Sequence, residues 1–368
     1  MSASRVSLSR QWVPVAGGSC DVRLGYDALS EGSSLFKASV GKPRACMAVI
    51  PTDLDGDVRE LFSRQLADAG YSVSWHEVRE ADARTLDEAV RLANHMAAEH
   101  ITGDDLCCAL GGQGLLSLAS YVCDGWCGGT SFVAVPTDAV AFLQGALCPV
   151  PLDVAGSPRM LCARNGARRV LLDYDLVCAD RDDEAMCHAR VLMVGAAMCS
   201  SERAFSELWD NVDTLMNGDD EAFVDELITA AKSRGKVLSS TAAAIRQSID
   251  YGQLFAHALT DLVPASASRS TLLAEGMRFA ARISVAEGKL SIDDMLAQDE
   301  ILEAVGAGML ACDVNPRALC DALKQERFLH TNRFMLLAPL ALGRVRLLTI
   351  EDAVLLEHAT AWCDAHRV

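Results

Sequence analysis

Short apolar runs alternate with amphipathic stretches through the first half of the chain. Residues 45–50 form a continuous apolar run that reads as a strand, and Asp53 to Asp57 then open a helical stretch that continues to about residue 69. Residues 71–77 alternate apolar and polar positions as a strand does, and residues 85–99 carry a helical period. Three more strand-like runs follow at 106–110, 131–135 and 169–173, the first ending in glycines and a small-residue helix. Strands separated by helices of this length predict a mostly parallel sheet with helices on both faces. After about residue 180 the period changes. Segments 182–199, 201–215, 221–234, 242–262, 271–287, 292–305 and 316–324 all read as helices, with Gly or Pro between most of them. One short β-like run, 333–337, interrupts them. The expectation is an α/β domain over residues 1–180 and an α-helical domain over 181–368.

With 368 residues, 51% of them hydrophobic, the chain can bury two ordinary cores. A formal net charge of −17 argues against an electrostatic grip on nucleic acid or on an anionic membrane, so the expected partner is a small molecule or another protein. No apolar run reaches the ~18 residues of a membrane span, and no basic and apolar leader opens the sequence; the expected location is the cytoplasm. The 14 cysteines read as reduced thiols used as small apolar residues. They form no pair of CxxC hooks, and Cys123 with Cys127 has no nearby His to complete a zinc site.

The run Gly111-Gly112-Gln113-Gly114 stands where a doubly wound sheet holds a phosphate, at a strand end opening a helix. A tight turn needing glycine for backbone reasons accounts for it equally well. Ala109 to Gly114, and Ser131 to Asp138, stand in register with two motifs of the 3-dehydroquinate synthase family, A-L-G-G-G-V-x-G-D and R-G-x-x-F-x-Q-V-P-T-T-L-L-A-x-V-D-S-S-V-G-G-K. Further on, residues 182–195 are similar to its L-P-x-R-E-x-x-x-G-x-A-E-V-I-K-Y-G. Residues 205–211 are similar to F-x-x-L-E-x-N, residues 246–260 to R-x-x-L-N-x-G-H-T-F-G-H-A-I-E, and residues 269–277 to H-G-E-A-V-A-I-G-M. Nearly the whole chain resembles that family in order and spacing. The resemblance implies a lyase of the shikimate pathway of aromatic amino acid biosynthesis. Such an enzyme oxidises an alcohol with bound NAD, eliminates phosphate, reduces the ketone again and closes a carbocycle, while a divalent metal polarises the reacting oxygens.

The residues that this chemistry needs are largely replaced. The family's three metal ligands, one Glu and two His, fall on Arg190, Gln253 and Arg269, and no divalent metal is expected on that set. His188 lies two residues before Arg190 and so points about 200° away on a helix. The G-G-K lysine becomes Val150, the Asp of V-D-S-S becomes Gln144, the R-G arginine becomes Gly128, the A-E-V-I-K lysine becomes Met193 and the R-x-x-L-N asparagine becomes Asp250. His257 and Arg246 keep the family's residue type and are the remaining catalytic candidates, although an interhelical His and a surface Arg are equally good accounts of them. On the nucleotide side the third glycine is Gln113 and the closing G-D is Leu116-Ser117. Gly111, Gly112, Gly114, Thr137 and Arg84 remain as candidate NAD contacts, with Asp138 as a helix cap and Ala81 where a carboxylate is missing.

Two functions follow from the resemblance. One is a sugar phosphate cyclase with a rearranged site; the other is a catalytically inactive paralogue that binds a small anion or nucleotide, as a homodimer or paired with an active relative. A third arrangement makes Arg190 and Arg269 a metal-free anion site, against the alternative that they pair with Asp183, Glu184 or Asp261.

Overall fold

The structure, a computed structural model, describes residues 8–179 and 184–367. The chain divides into two compact units, Met1–Arg181 and Asp182–Val368.

The first unit is built on strands β1 (Ser9–Val15), β2 (Gly18–Gly25), β3 (Ala45–Pro51), β4 (Ser72–Val78), β5 (Leu106–Gly111) and β6 (Ser131–Pro136), the small β7 (Leu152–Val154) and β8 (Ser157–Leu161), and β9 (Arg169–Asp173). Seven of them form one sheet in the order β1-β2-β9-β6-β5-β3-β4, antiparallel between β1 and β2 and parallel elsewhere; β7 and β8 pair separately. The five predicted strands are β3, β4, β5, β6 and β9. Parallel strands covered on both faces need unbroken apolar runs, and Cys46 to Ile50 and Leu106 to Leu110 are completely buried. The β1–β2 hairpin escapes the expectation because its outer strand carries Arg10, Gln11 and an exposed Trp12 where an apolar run would be sought. Three helices flank the sheet: α1 (Gly56–Asp68), α2 (Leu86–Ala98) and α3 (Gln113–Gly125). Asp55 caps α1 by accepting from the backbone N–H groups of Asp57 and Val58, and Thr85 caps α2 through Glu88.

The second unit holds α4 (Glu184–Ser200), α5 (Glu202–Met216), α6 (Asp220–Leu238), α7 (Gln253–Thr260), α8 (Arg269–Ala286), α9 (Ile292–Ala304), α10 (Pro316–Phe328) and α11 (Asp352–His366). It also holds one antiparallel hairpin, β10 (Leu336–Ala341) with β11 (Arg344–Leu348). The expected helix start at residue 182 lies outside the described residues. Three expectations need correction. The 242–262 helix is broken into a turn at Ala243–Arg246, a 3-10 turn at Gln247–Asp250 and α7, because Gly252 sits at φ 84°. The β-like run at 333–337 moves to β10 and gains β11 as partner. Helix α11 had been missed, although Leu355, Ala359, Trp362 and Cys363 follow the i, i+4, i+7, i+8 spacing and are all buried.

Helices α7 and α8 approach closely enough to touch backbone to backbone. A Cβ on Gly276 would meet the carbonyl oxygen of Gly252, with the Gly252 carbonyl carbon at 2.9 Å. The Phe255 and Phe279 rings pack beside this contact with centroids 4.4 Å apart, and Trp362 of α11 meets Phe255 edge-on at 5.2 Å. The fully buried Glu275 ties α8 to α11. It accepts from Arg278 at 2.8 Å and from the Trp362 indole at 2.9 Å, and His366 Nε2 stands 2.9 Å from its second oxygen.

Candidate functional site

In the first unit the glycine turn is present, and the chain's own side chains crowd it. Gln113, at the third-glycine position, donates from Nε2 to Gln144 Oε1 at 2.8 Å, so two departures from the family pattern bond to each other. Gln144 reaches inward, nearly buried, from a π-helical turn at Phe142–Ala146. Ser117, at the closing position, accepts from the Val150 N–H at 3.0 Å and so fastens the loop where the lysine is missing. Asp138 caps the next turn by accepting from Ala141 N–H at 2.7 Å, and its other oxygen lies 3.9 Å from where a Gly112 Cβ would stand. Arg84 packs across Gly114, 3.1 Å from that residue's hypothetical Cβ, and its guanidinium is 3.7 Å from Asp153. Thr137 donates its backbone N–H to Gly111 at 3.2 Å. The backbone cradle therefore remains, while a carboxylate and two amide side chains stand around it.

In the second unit the positions of the family's metal ligands are on α4 (Arg190) and at the first residues of α7 (Gln253) and α8 (Arg269). Among the described residues no group of three His, Cys, Asp or Glu is arranged to hold a metal. Arg190, Gln253 and Arg269 supply two guanidinium groups and an amide, a set that does not fit a divalent cation. Glu184 is committed elsewhere, since both its oxygens cap α8 by accepting from the Ser270 N–H and hydroxyl at 2.7 Å each. Asp183 lies outside the described residues.

The charges here are mostly positive. His188 is pushed down to about 4 by burial first and then by the Arg269 and Arg234 charges. Asp250 keeps a solvent-exposed side, yet desolvation raises its carboxyl above the ordinary range against the opposing pull of Arg234, His257 and Arg327. His257 is oriented by Glu326, Nδ1 to Oε1 being 3.4 Å. Arg246 stands apart: its guanidinium donates to the carbonyls of Ser240 and Thr241 at 2.8 and 3.0 Å. The sequence reading missed Arg234 and Arg327. Arg234 is 4% exposed, and the Nε atoms of both are buried without a hydrogen-bond partner. Neither forms an ion pair within 4.0 Å among the described residues, so Asp250 acts on both from beyond contact. A signal existed: Arg234 follows Leu227 by seven residues and Arg327 follows Leu323 by four, which puts each cation on a buried stripe. A cavity of about 530 Å³ on the first unit, beside Arg10, Asp21 and Arg169, contains none of these residues.

No family model matches the chain. Curated relatives do. A 3-dehydroquinate synthase from Dehalococcoides mccartyi is 25% identical over 331 residues, covering 87% of this chain and 89% of the relative. One from Prochlorococcus marinus is 21% identical over 326 residues, covering 86% and 88%. Among solved structures, 2-deoxy-scyllo-inosose synthase complexed with carbaglucose-6-phosphate, NAD+ and Co2+ superposes with a TM-score of 0.81 at 14% identity, covering 95% of this chain and 99% of that one. A 2-epi-5-epi-valiolone synthase from Streptomyces hygroscopicus with NAD+ and Zn2+ bound gives 0.78, also at 14%, over 98% and 99%. At such identities the solved structures carry the fold alone.

Proposed function

We propose that this chain, which belongs to the 3-dehydroquinate synthase family, binds an anionic small molecule at the former metal position and does not carry out metal-assisted cyclisation. The observation that supports this is the pair Arg234, buried, and Arg327, half-buried, whose Nε atoms lack hydrogen-bond partners and which have no ion-pair partner among the described residues, beside the positions where Arg190, Gln253 and Arg269 replace the ligands. A buried unpaired cation costs several kcal/mol. An oxyanion accepting from both forks offsets that cost, whereas a divalent cation adds to it.

In the family reaction a metal acting as Lewis acid supplies several kcal/mol of barrier lowering, and each ~1.4 kcal/mol is tenfold in rate. Without it, and without a lysine at Val150, the expected outcome is no detectable conversion of the family's substrate to 3-dehydroquinate when NAD and zinc are both supplied. The expected binding outcome is that inorganic phosphate raises the unfolding temperature of the full chain, and that Arg327→Met abolishes the rise. Turnover at about 1 s⁻¹ or faster, abolished by His257→Ala, overturns the reading.

A retained cyclase or related lyase is the second reading, favoured by His257, whose Nδ1 stands 3.4 Å from Glu326 Oε1, a carboxylate–imidazole contact of the kind that can steady a general base. NAD binding through the backbone of the glycine turn is compatible with either, at an affinity lowered by Asp138 and by the Gln113–Gln144 pair.

A further inference from the structure

The cavity of about 530 Å³ on the first unit is lined by one arginine from each of three neighbouring strands. The strand register brings them together. Arg10 of β1 stands opposite Arg23 of β2, and Asp21, two residues back on the same face of β2, stands opposite Arg169 of β9. Asp21 is buried, and two of the three arginines hold it: Arg10 donates to both its oxygens at 2.8 Å, and Arg23 donates from Nε at 3.1 Å. Burial alone would raise the Asp21 carboxyl pKa, but these bonds keep it below the ordinary value, so it stays an anion. Arg169 donates only to the Ser39 carbonyl, at 3.4 Å, and has no carboxylate within 4.0 Å among the described residues.

One carboxylate thus serves a face that carries three guanidinium groups. Like charges on facing strands repel, and a carboxylate engages only part of the five donors of each fork, so the face keeps both charge and donors in hand. Glu31 is the other acid at the cavity, and it pairs with none of the three among the described residues. Three positive charges therefore line the cavity against two negative ones, in a chain whose formal net charge is −17. The donors are also ordered in advance: Asp21 fixes Arg10 and Arg23, and the Trp12 ring lies 4.4 Å from the Arg10 guanidinium. Across from them, Leu35 and Ala38 at the short helix Ser33–Lys37 add apolar surface.

We propose that this cavity binds a small organic monocarboxylate, whose carboxylate takes donors that Asp21 leaves on Arg10, Arg23 and Arg169 and whose hydrocarbon body lies against Leu35 and Ala38. A single negative charge balances the excess of one positive charge. A phosphate dianion exceeds it and meets the repulsion of Asp21 and Glu31. All the residues belong to the first unit, and the site is independent of the arginine cluster on the second.

The test is a saturation-transfer NMR titration of the full chain with sodium benzoate, a carboxylate on an apolar ring, repeated on Arg169→Met, Ala38→Trp and Arg327→Met. Arg169 makes one long hydrogen bond and Ala38 is exposed, so both cavity variants are expected to fold, with circular dichroism as the check. Ala38→Trp fills the cavity without touching a charge, and it decides the matter if Arg169→Met does not fold. The expected result is a Kd on the order of 1 mM for the unaltered chain. Binding should be at least tenfold weaker in Arg169→Met and Ala38→Trp, unchanged in Arg327→Met, and not displaced by equimolar inorganic phosphate. Absence of saturation transfer in the unaltered chain, or transfer that both cavity variants leave unchanged, overturns the site. Loss in Arg327→Met alone assigns benzoate to the second unit and overturns it too, and displacement by equimolar phosphate overturns the monocarboxylate assignment. Phosphate binding through Arg234 and Arg327 is read separately, from the unfolding temperature.

Discussion

Replacing Arg234 by methionine tests the anion reading through stability. The side chain is 4% exposed, its Nε has no hydrogen-bond partner and no carboxylate among the described residues lies within 4.0 Å, so the folded protein without ligand carries much of a guanidinium desolvation penalty. Replacement of buried charges by apolar side chains of similar volume stabilises proteins by up to 1–4 kcal/mol when packing is kept. Against this stands the loss of the long-range attraction to Asp250, whose carboxyl still has Arg327 and His257 nearby. The expected net gain is about 1–3 kcal/mol, or roughly 2–12 °C in the unfolding temperature of a unit of this size. Phosphate should act in the opposite sense. At a hundredfold excess over Kd it stabilises the unaltered chain by ~2.7 kcal/mol and Arg234→Met by nothing measurable. Thermal unfolding followed by Trp fluorescence, with and without phosphate, measures both. If Arg234→Met is destabilised by more than about 2 kcal/mol, or if phosphate stabilises both proteins alike, the guanidinium is a structural group and the reasoning fails.

Gly276→Ala should destabilise by about 2 kcal/mol in urea unfolding, since a gain of ~1 kcal/mol in helix propensity is outweighed by the ~3 kcal/mol of forcing α7 and α8 apart; a stabilised variant would contradict the backbone contact. Glu275→Gln removes the counter-charge of buried Arg278, leaving it the carbonyls of Ala307 and Gly308 and a neutral amide oxygen, and a loss of about 3–5 kcal/mol is expected by the same measurement. Asp105 is buried, which alone would raise its carboxyl pKa, but bonds from Arg44, Thr102 and Ala45 hold it below the ordinary value. Its contribution is therefore full above the unfolded carboxylate pKa and lost as pH falls through the folded one, so Asp105→Asn should flatten the acid limb of a stability–pH curve. Gln113→Gly should tighten NAD binding in a fluorescence titration by opening the turn, and equal or weaker binding would count against the crowding argument.

The fold was legible where burial dictates composition. Strands covered on both faces must be apolar throughout, so β3, β5, β6 and β9 announce themselves in runs such as Cys46 to Ile50. The β1–β2 edge was hidden because an edge strand is permitted Arg10 and Gln11, and the break at Gly252 because a helical period runs through it on both sides. The candidate site was legible as a list of missing ligands, since that needs only residue identity. What replaces them was not. That Gln113 meets Gln144, that Glu184 serves Ser270 and that two arginines face Asp250 without touching it are facts of three-dimensional placement between residues far apart in the chain, up to 86 positions in the case of Glu184 and Ser270.

The backbone contact between Gly252 and Gly276 has a consequence for the history and the repair of this site. Because neither helix can rotate or slide without a collision, the first turns of α7 and α8 are held in place whatever side chains they carry. Chemistry at Gln253 and Arg269 could drift while the frame beneath them was held, and the same frame makes the drift reversible. Arg190→Glu, Gln253→His and Arg269→His in one chain would return the three donors to a scaffold that needs no rebuilding.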